Sequence, residues 1–334
     1  MTEPASSVVF GAGSWGTALA VHLANSGHRV QLWGRDPDLV ARMRTGRVND
    51  TYLPGIELPA LVEPTASFEP GSAARFAVFA VPSHGLRRVA ASASVHLRPD
   101  AIVISATKGL EEGRLCRMTE VLADEIAGRP VVALSGPSFA LEVARRQPTA
   151  VVAASLDGDA VAAVLQEFRG KYLRLYGSDD VIGVEMGGAL KNVIAIAAGV
   201  VEGIGLGHNA LAGLITRGLA EISRLSVAAG GRRETLAGLS GLGDLVLTCT
   251  GALSRNRQVG IELGRGRGID DVLSRMKMVA EGVRTTTAAL ALGQKHGVEL
   301  PIACQMADVM AGRRTPAEAL EELMVRRQRH ENDR

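Results

Sequence analysis

Lys191 lies inside GGALKNVIAIAAGV, Gly187 to Val200, a stretch that is otherwise small and apolar apart from Asn192. An ammonium taken out of water is costly unless it is paired or gives up its proton, so this lysine is a candidate proton-transfer group. Charge usage along the chain sharpens the point. Its five lysines, at positions 108, 171, 191, 277 and 295, stand among 37 basic residues, and arginine serves wherever charge alone suffices. A guanidinium keeps its proton near neutral pH, whereas an amine can release it. The plainer account is an arginine-favouring genome and a lysine that snorkels its head into water. Two further segments carry complementary groups. ATKGL puts Lys108 before a glycine at a strand end, and GLSGLGDLVLTCTGALSRNRQVG supplies Asp244 and Thr248, then Ser254, Arg255 and Asn256. A hydroxyl, a guanidinium and an amide in succession suit a phosphate group. An ordinary N-cap serine followed by a solvated arginine is the competing reading.

The clearest motif is VVFGAGSWGTALA, with Gly11, Gly13 and Gly16 in G-x-G-x-x-G spacing directly after an apolar run and at the start of a helical pattern. Gly11 permits the tight turn, Gly13 lets backbone approach a pyrophosphate, and Gly16 lets helix and strand pack closely. The helix N-terminus adds amide donors and the positive end of its dipole. For NAD, the second strand should end in an acidic residue that holds the ribose hydroxyls. Here it ends WGRD. Arg35 could meet adenine or a 2′-phosphate, which tilts the choice toward NADP(H), and Asp36 could serve only as an N-cap, so NAD(H) and NADP(H) both stay open.

These residues need a frame. VVFGAG, RVQLWGR, ARFAVFAVPS, DAIVISATKG, PVVALSGPS and TAVVAAS read as strands, with helical patterns such as TALAVHLANSG and DPDLVARMRTG between them. That alternation predicts an α/β domain with a parallel sheet covered by helices, a Rossmann-type dinucleotide-binding domain over residues 1–180. From about Asp179 the patterns are helical, which predicts an all-α C-terminal domain over residues 181–334 carrying Lys191.

Composition sets bounds on function. With 46% hydrophobic and 22% charged residues and a formal net charge of +2, the chain suits a globular protein and offers no dedicated nucleic-acid surface. No basic leader and no run of about 18 uncharged apolar residues occurs, so the expectation is a cytoplasmic protein with no integral membrane segment. The three cysteines and seven histidines show no ligand spacing, and no metal is expected. The apolar helical half would expose surface for a second copy of the chain to cover, so a homodimer is compatible with the sequence.

Taken together, GAGSWGTALA, NDTYLPG, AVPS, TKGLE, SGPSFALEV, GGALKNVIAIAAGVVEGIGLG, GLITRGLAEISRL, GLSGLGDLVLTCTGALSRNRQVG and VAEGVRTT resemble bacterial NAD(P)-dependent sn-glycerol-3-phosphate dehydrogenase, from about Val8 to Val325. The resemblance implies interconversion of dihydroxyacetone phosphate and sn-glycerol 3-phosphate, feeding phospholipid synthesis. It implies Lys191 as general acid in reduction and base in oxidation, with its amine pKa lowered by the apolar helix. Asn192 and Asp244 would hold that lysine and the substrate hydroxyls, with Thr248 nearby. Lys108 would lie between cofactor and substrate. Gly136 and Ser138 would contact substrate and Ala140 the cofactor. Ser254, Arg255 and Asn256 would take the substrate phosphate, Arg255 also meeting the cofactor. Ser14, Trp15, Arg35, Tyr52, Val279 and Glu281 match further cofactor positions. Related two-domain dehydrogenases acting on β-hydroxyacids or phosphogluconate, and a noncatalytic nucleotide sensor on the same frame, are the alternatives. The preference between NADP and NAD, the physiological direction and any feedback inhibition are not written in these residues.

Overall fold

The computed structural model describes residues 6–276, 280–328, 330 and 331. Two compact units divide the chain, one of Met1–Lys108 with Cys116–Val181 and one of Gly109–Leu115 with Ile182–Arg334. Gly109–Leu115 thus belongs to the second unit, and the division is not a single cut near residue 180.

The first unit is α/β. It begins with β1 (Ser6–Phe10), α1 (Ser14–Asn25), β2 (Arg29–Trp33) and α2 (Pro37–Gly46). A small hairpin of β3 (Val48–Asn49) and β4 (Leu53–Glu57) follows, then β5 (Val62–Thr65), β6 (Phe76–Phe79), α3 (Ser83–Ser94), β7 (Ile102–Ser105) and α4 (Met118–Glu125). The unit ends with β8 (Val131–Ser135), α5 (Ala140–Ala144), β9 (Thr149–Ala154), α6 (Gly158–Phe168) and β10 (Leu173–Ser178). Eight of these strands form one sheet in the order β10-β9-β8-β7-β6-β1-β2-β5. Its central strands are buried end to end, as in Val8, Val9 and Phe10 of β1 and Phe76 to Phe79 of β6, which is why they read as unbroken apolar runs.

One pairing departs from the expected parallel sheet: β8 meets β9 antiparallel, so β9 and β10 run against the rest. The link between β8 and β9 holds only the short α5, packed against α1, and a parallel return needs a longer crossover. Two sheet strands were silent in the sequence. β5 is VEPT, whose Pro64 lacks a donor and is tolerated because the strand lies at the sheet edge. β10 is LRLYGS, the opposite edge, with only Leu173 buried.

The second unit is helical. Its elements are α7 (Val181–Gly203), α8 (His208–Ala228), α9 (Arg233–Leu236), α10 (Asp244–Thr250), α11 (Arg255–Gly264), α12 (Ile269–Ser274), α13 (Glu281–His296), α14 (Pro301–Met310) and α15 (Pro316–Met324). α7 runs through the middle, its side chains and those of α8, α10, α11, α13 and α14 forming one apolar core around Leu190, Val193, Ile196, Leu225, Leu245 and Leu292. α7 is long and apolar enough to cross a bilayer, yet 83% of its apolar window is buried, which marks it as a core helix. Glycines let α11 approach it at backbone distance: a Cβ on Gly199 would overlap the Arg257 carbonyl, and one on Gly260 would overlap the Ile196 carbonyl.

Candidate active site

Lys191 stands in the middle of α7 and is only 6% exposed. Its ammonium donates to the Asp244 carboxylate, itself 1% exposed, and to Thr248 Oγ1 at 2.9 Å. Thr248 Oγ1 in turn donates to the Asp244 carbonyl at 2.6 Å. The threonine hydrogen is therefore spent, so a lone pair of that oxygen faces the ammonium and Lys191 must be the donor. Asp244 and Thr248 are one turn apart on α10 and share a face, so a single short helix supplies both partners. A π-helical turn, Leu239–Gly243, leads into α10. It packs on α7 at Gly187, where a Cβ would overlap the Ser240 carbonyl. The small residues before Lys191 thus admit a close neighbour. Cys249 lies beside the pair, and burial pushes its thiol up to about 12, so it is no competing nucleophile.

At the start of α11, Ser254 is an N-cap, its hydroxyl accepting from the Arg257 amide at 3.2 Å. The N-cap reading of this serine is therefore correct, and it leaves the neighbouring Arg255 and Asn256 side chains on the first turn of α11. Arg255 is exposed. Protein packed around it lowers its guanidinium from the ordinary value, and Glu281 pushes the other way, so it remains a cation. Asn256 is 8% exposed and donates through Nδ2 to Asn192 Oδ1 at 2.9 Å. The expectation that Asn192 holds the lysine is corrected here: its carboxamide binds Asn256, and Asp244 with Thr248 holds the lysine. The reason is geometric. Asn192 follows Lys191 by one residue and so points about 100° away around α7, toward α11 rather than α10.

In the first unit the glycine-rich turn has the form its spacing implies. Gly11 has φ +121°, and a Cβ there would lie 2.6 Å from the Ala80 carbonyl oxygen. A Cβ on Gly16 would overlap the Gly11 carbonyl, whereas beside Gly13 there is open space. Gly13 starts α1 with no side-chain cap, and Trp15 Nε1 is buried with no acceptor among the described residues. Open space, uncapped amides and an orphaned donor fit a dinucleotide phosphate. Ser14 Oγ donates to the Tyr52 carbonyl at 2.7 Å, which brings NDTYLPG onto the turn. Arg35 is exposed past the end of β2. Asp36 caps α2, accepting from the amides of Asp38 and Leu39.

Lys108, Gly136 and Ser138 also come together. The Gly136 carbonyl accepts from Lys108 Nζ and from Ser138 Oγ, both at 2.9 Å, past the ends of β7 and β8. Ala140 opens α5, and Glu281 opens α13. Val279 lies outside the described residues. Among the described residues no three of His, Cys, Asp or Glu are grouped to hold a metal.

One residue of this turn escaped the sequence reading. Asn49 is fully buried, donates to the Ala12 carbonyl at 2.9 Å and Thr17 Oγ1 at 2.8 Å, and accepts from the Tyr52 amide at 3.1 Å. It ties the glycine turn to Tyr52. Its signal is an asparagine preceding the DTYLPG turn, which looks like ordinary loop chemistry until the fold places it under α1.

Two family models match the chain, the NAD-dependent glycerol-3-phosphate dehydrogenase N-terminus over residues 7–161 and its C-terminus over residues 180–321. The chain belongs to the NAD-dependent glycerol-3-phosphate dehydrogenase family. Relatives named glycerol-3-phosphate dehydrogenase, NAD(P)+, include one from Koribacter versatilis, 51% identical over 95% of this chain and 96% of that one. Another, from Acidobacterium capsulatum, is 50% identical over 97% and 98%. The crystal structure of glycerol-3-phosphate dehydrogenase from Coxiella burnetii superposes with a TM-score of 0.93 at 38% identity, covering 97% of this chain and 99% of that one. Family membership makes the chain an oxidoreductase that uses NAD(H) or NADP(H).

Proposed function

We propose that the chain reduces dihydroxyacetone phosphate to sn-glycerol 3-phosphate, reversibly, with Lys191 as general acid in that direction and general base in the other. The observation that carries this reading is the buried Lys191 ammonium held by Asp244 and Thr248 in an otherwise apolar core. A nicotinamide held by the sheet unit would supply the hydride for the carbonyl carbon. Lys191 gives a proton to the carbonyl oxygen as negative charge grows there, which completes the alcohol. Asp244 and Thr248 keep that amine aimed and offset the burial of its charge. Ser254, Arg255 and Asn256 take the substrate phosphate at the positive end of α11.

In the sheet unit, Gly11, Gly13, Ser14, Trp15 and Gly16 would hold the cofactor pyrophosphate, with Tyr52 beside them. Arg35 would meet the adenosine ribose, and because the Asp36 carboxylate is engaged in capping α2, this end favours NADP(H). Lys108 contributes positive charge, with Gly136 and Ser138 for substrate and Ala140 for cofactor. Glu281 and Val279 belong to the cofactor set on the strength of the sequence resemblance. The product would enter glycerophospholipid synthesis in the cytoplasm. The exposed Leu242, Val246 and Leu253 of the helical unit support a homodimer.

The test mixes purified protein with dihydroxyacetone phosphate and follows nicotinamide absorbance, once with NADPH and once with NADH. Oxidation is expected with both and faster with NADPH. Silence with both, despite measurable cofactor binding, would remove the reaction and favour a sensor.

A further inference from the structure

The Asn192–Asn256 bond is part of a longer chain whose direction is fixed at one end. Oδ1 of Asn256 accepts from the backbone N–H of Gly282 at 3.0 Å. Gly282 lies in the first turn of α13, where amide hydrogens have no acceptor within their own helix. The Asn256 side chain is therefore a cap reaching from α11 to α13. A backbone N–H can only donate, so the atom of Asn256 that faces it must be oxygen, and its Nδ2 must face Asn192. Asn192 then has to present its own oxygen to Asn256, which turns its Nδ2 the other way. Asn192 Nδ2 donates to no described residue. One amide at position 282 thus sets the polarity of two carboxamides that would otherwise flip freely.

The packing leaves room for nothing larger than glycine at this anchor. A Cβ at 282 would lie 2.6 Å from the Asn192 carbonyl oxygen, 2.8 Å from Asn256 Oδ1 and 2.9 Å from Ile196 Cδ1. The glycine crossing of α7 and α11 brings the two short asparagine side chains within reach. Both are at least nine-tenths buried, and hydrogen bonds in such surroundings reinforce one another.

We propose that Gly282 is a positioning residue: its backbone N–H orients Asn256, and through it Asn192, so that both carboxamides offer N–H donors and no acceptor to the phosphorylated substrate. This rests on reading Ser254 to Asn256 as the phosphate clamp. The selected ligand end is a phosphate dianion, whose oxygens only accept. A hydroxyl end gains nothing comparable, because it must also place its own hydrogen.

Gly282→Ala tests this. Dihydroxyacetone phosphate should show a KM about tenfold higher or more, as expected for losing an oriented donor to a charged group. KM for NADPH and the slow turnover of unphosphorylated dihydroxyacetone should stay within about twofold. Equal losses on the phosphorylated and unphosphorylated ketones would reduce Gly282 to a packing residue and overturn the proposal. If the alanine variant does not fold, the cycle of Asn192→Ala, Asn256→Ala and the double variant decides. Coupled losses in KM for dihydroxyacetone phosphate are expected, and additive losses would overturn the relay. Calorimetric titration with inorganic phosphate separates this proposal from the reaction itself. Wild type should bind about tenfold more tightly than Gly282→Ala. Equal affinities would overturn the positioning role, whereas phosphate binding without ketone reduction in wild type would remove only the reaction.

Discussion

At Gly11 to Gly16 the sheet unit offers backbone amides and empty space, and at Lys191 the helical unit offers side chains held by other side chains. The first kind of site is spoiled by adding atoms, the second by removing them. They also differ in how far apart their parts lie in the chain. The glycine turn is complete within six residues, whereas Lys191 meets partners 53 and 57 positions away and Asn192 meets one 64 positions away. A backbone site is therefore written locally, and a side-chain site exists only once the fold has closed.

Removing atoms from the helical site should have the largest effect. Lys191→Ala is expected to lower kcat about 10³-fold or more while NADPH affinity stays within about twofold. Single-turnover kinetics beside cofactor titration read this, and a normal kcat with a raised KM would cancel the proton-transfer role. Adding one carbon to the backbone site comes next. Gly16→Ala, whose Cβ overlaps the Gly11 carbonyl, should destabilise the sheet unit by about 3 kcal/mol and weaken NADPH binding. Thermal unfolding with and without NADPH checks it, and an unchanged Tm would mean the turn yields more readily than its geometry implies.

Legibility followed the same division. The G-x-G-x-x-G run announced its own turn, strand and helix because each glycine answers to a neighbour a few residues away. The helical site's residues could be named by resemblance, but spacing could not say who holds whom, and Asn192 was assigned to the wrong partner for that reason. Asn49 went unnoticed because its three bonds go to a turn, a helix and a loop that only the folded unit brings together. The antiparallel β8–β9 pairing was hidden by a connection whose short helix resembles a crossover.

The two units should also respond oppositely to pH. In the helical unit Glu221 of α8 is buried, its oxygens accepting from the amides of Ile302 and Ala303 at the start of α14. Burial raises its pKa to about 7 against the pull of those amides and of Arg224 and Arg326. Between pH 4.5 and 7 the unfolded chain releases this proton first, so the helical unit loses about 3 kcal/mol as pH rises through that window. In the sheet unit His22 bonds the Phe168 carbonyl, and His28 bonds Ser7 and the Glu167 carbonyl. Burial lowers both pKa values, so the unfolded chain takes up protons first below pH 6.5 and the sheet unit loses stability as pH falls. Hydrogen exchange of α14 and α6 peptides across this range, corrected for intrinsic rates, should show slopes of opposite sign. Slopes of the same sign would break the comparison, and Glu221→Gln should flatten the helical one.

The smallest expected effect sharpens the cofactor end. Arg35→Gln should lower the ratio of kcat/KM for NADPH over NADH about tenfold, the loss of one charge-assisted contact to a 2′-phosphate. An unchanged ratio would assign Arg35 to adenine instead.

The apolarity of α7 has a consequence during synthesis. The helix leaves the ribosome before the segments that cover it, and Asp244 is translated 53 residues after Lys191. At roughly 5–20 residues per second, the nascent chain carries a bilayer-compatible helix that has not yet met Asp244 for about 3–10 s. Chains cut short before α10 should therefore collect on chaperones or in inclusion bodies, because much of the core that covers this apolar helix has not yet been made.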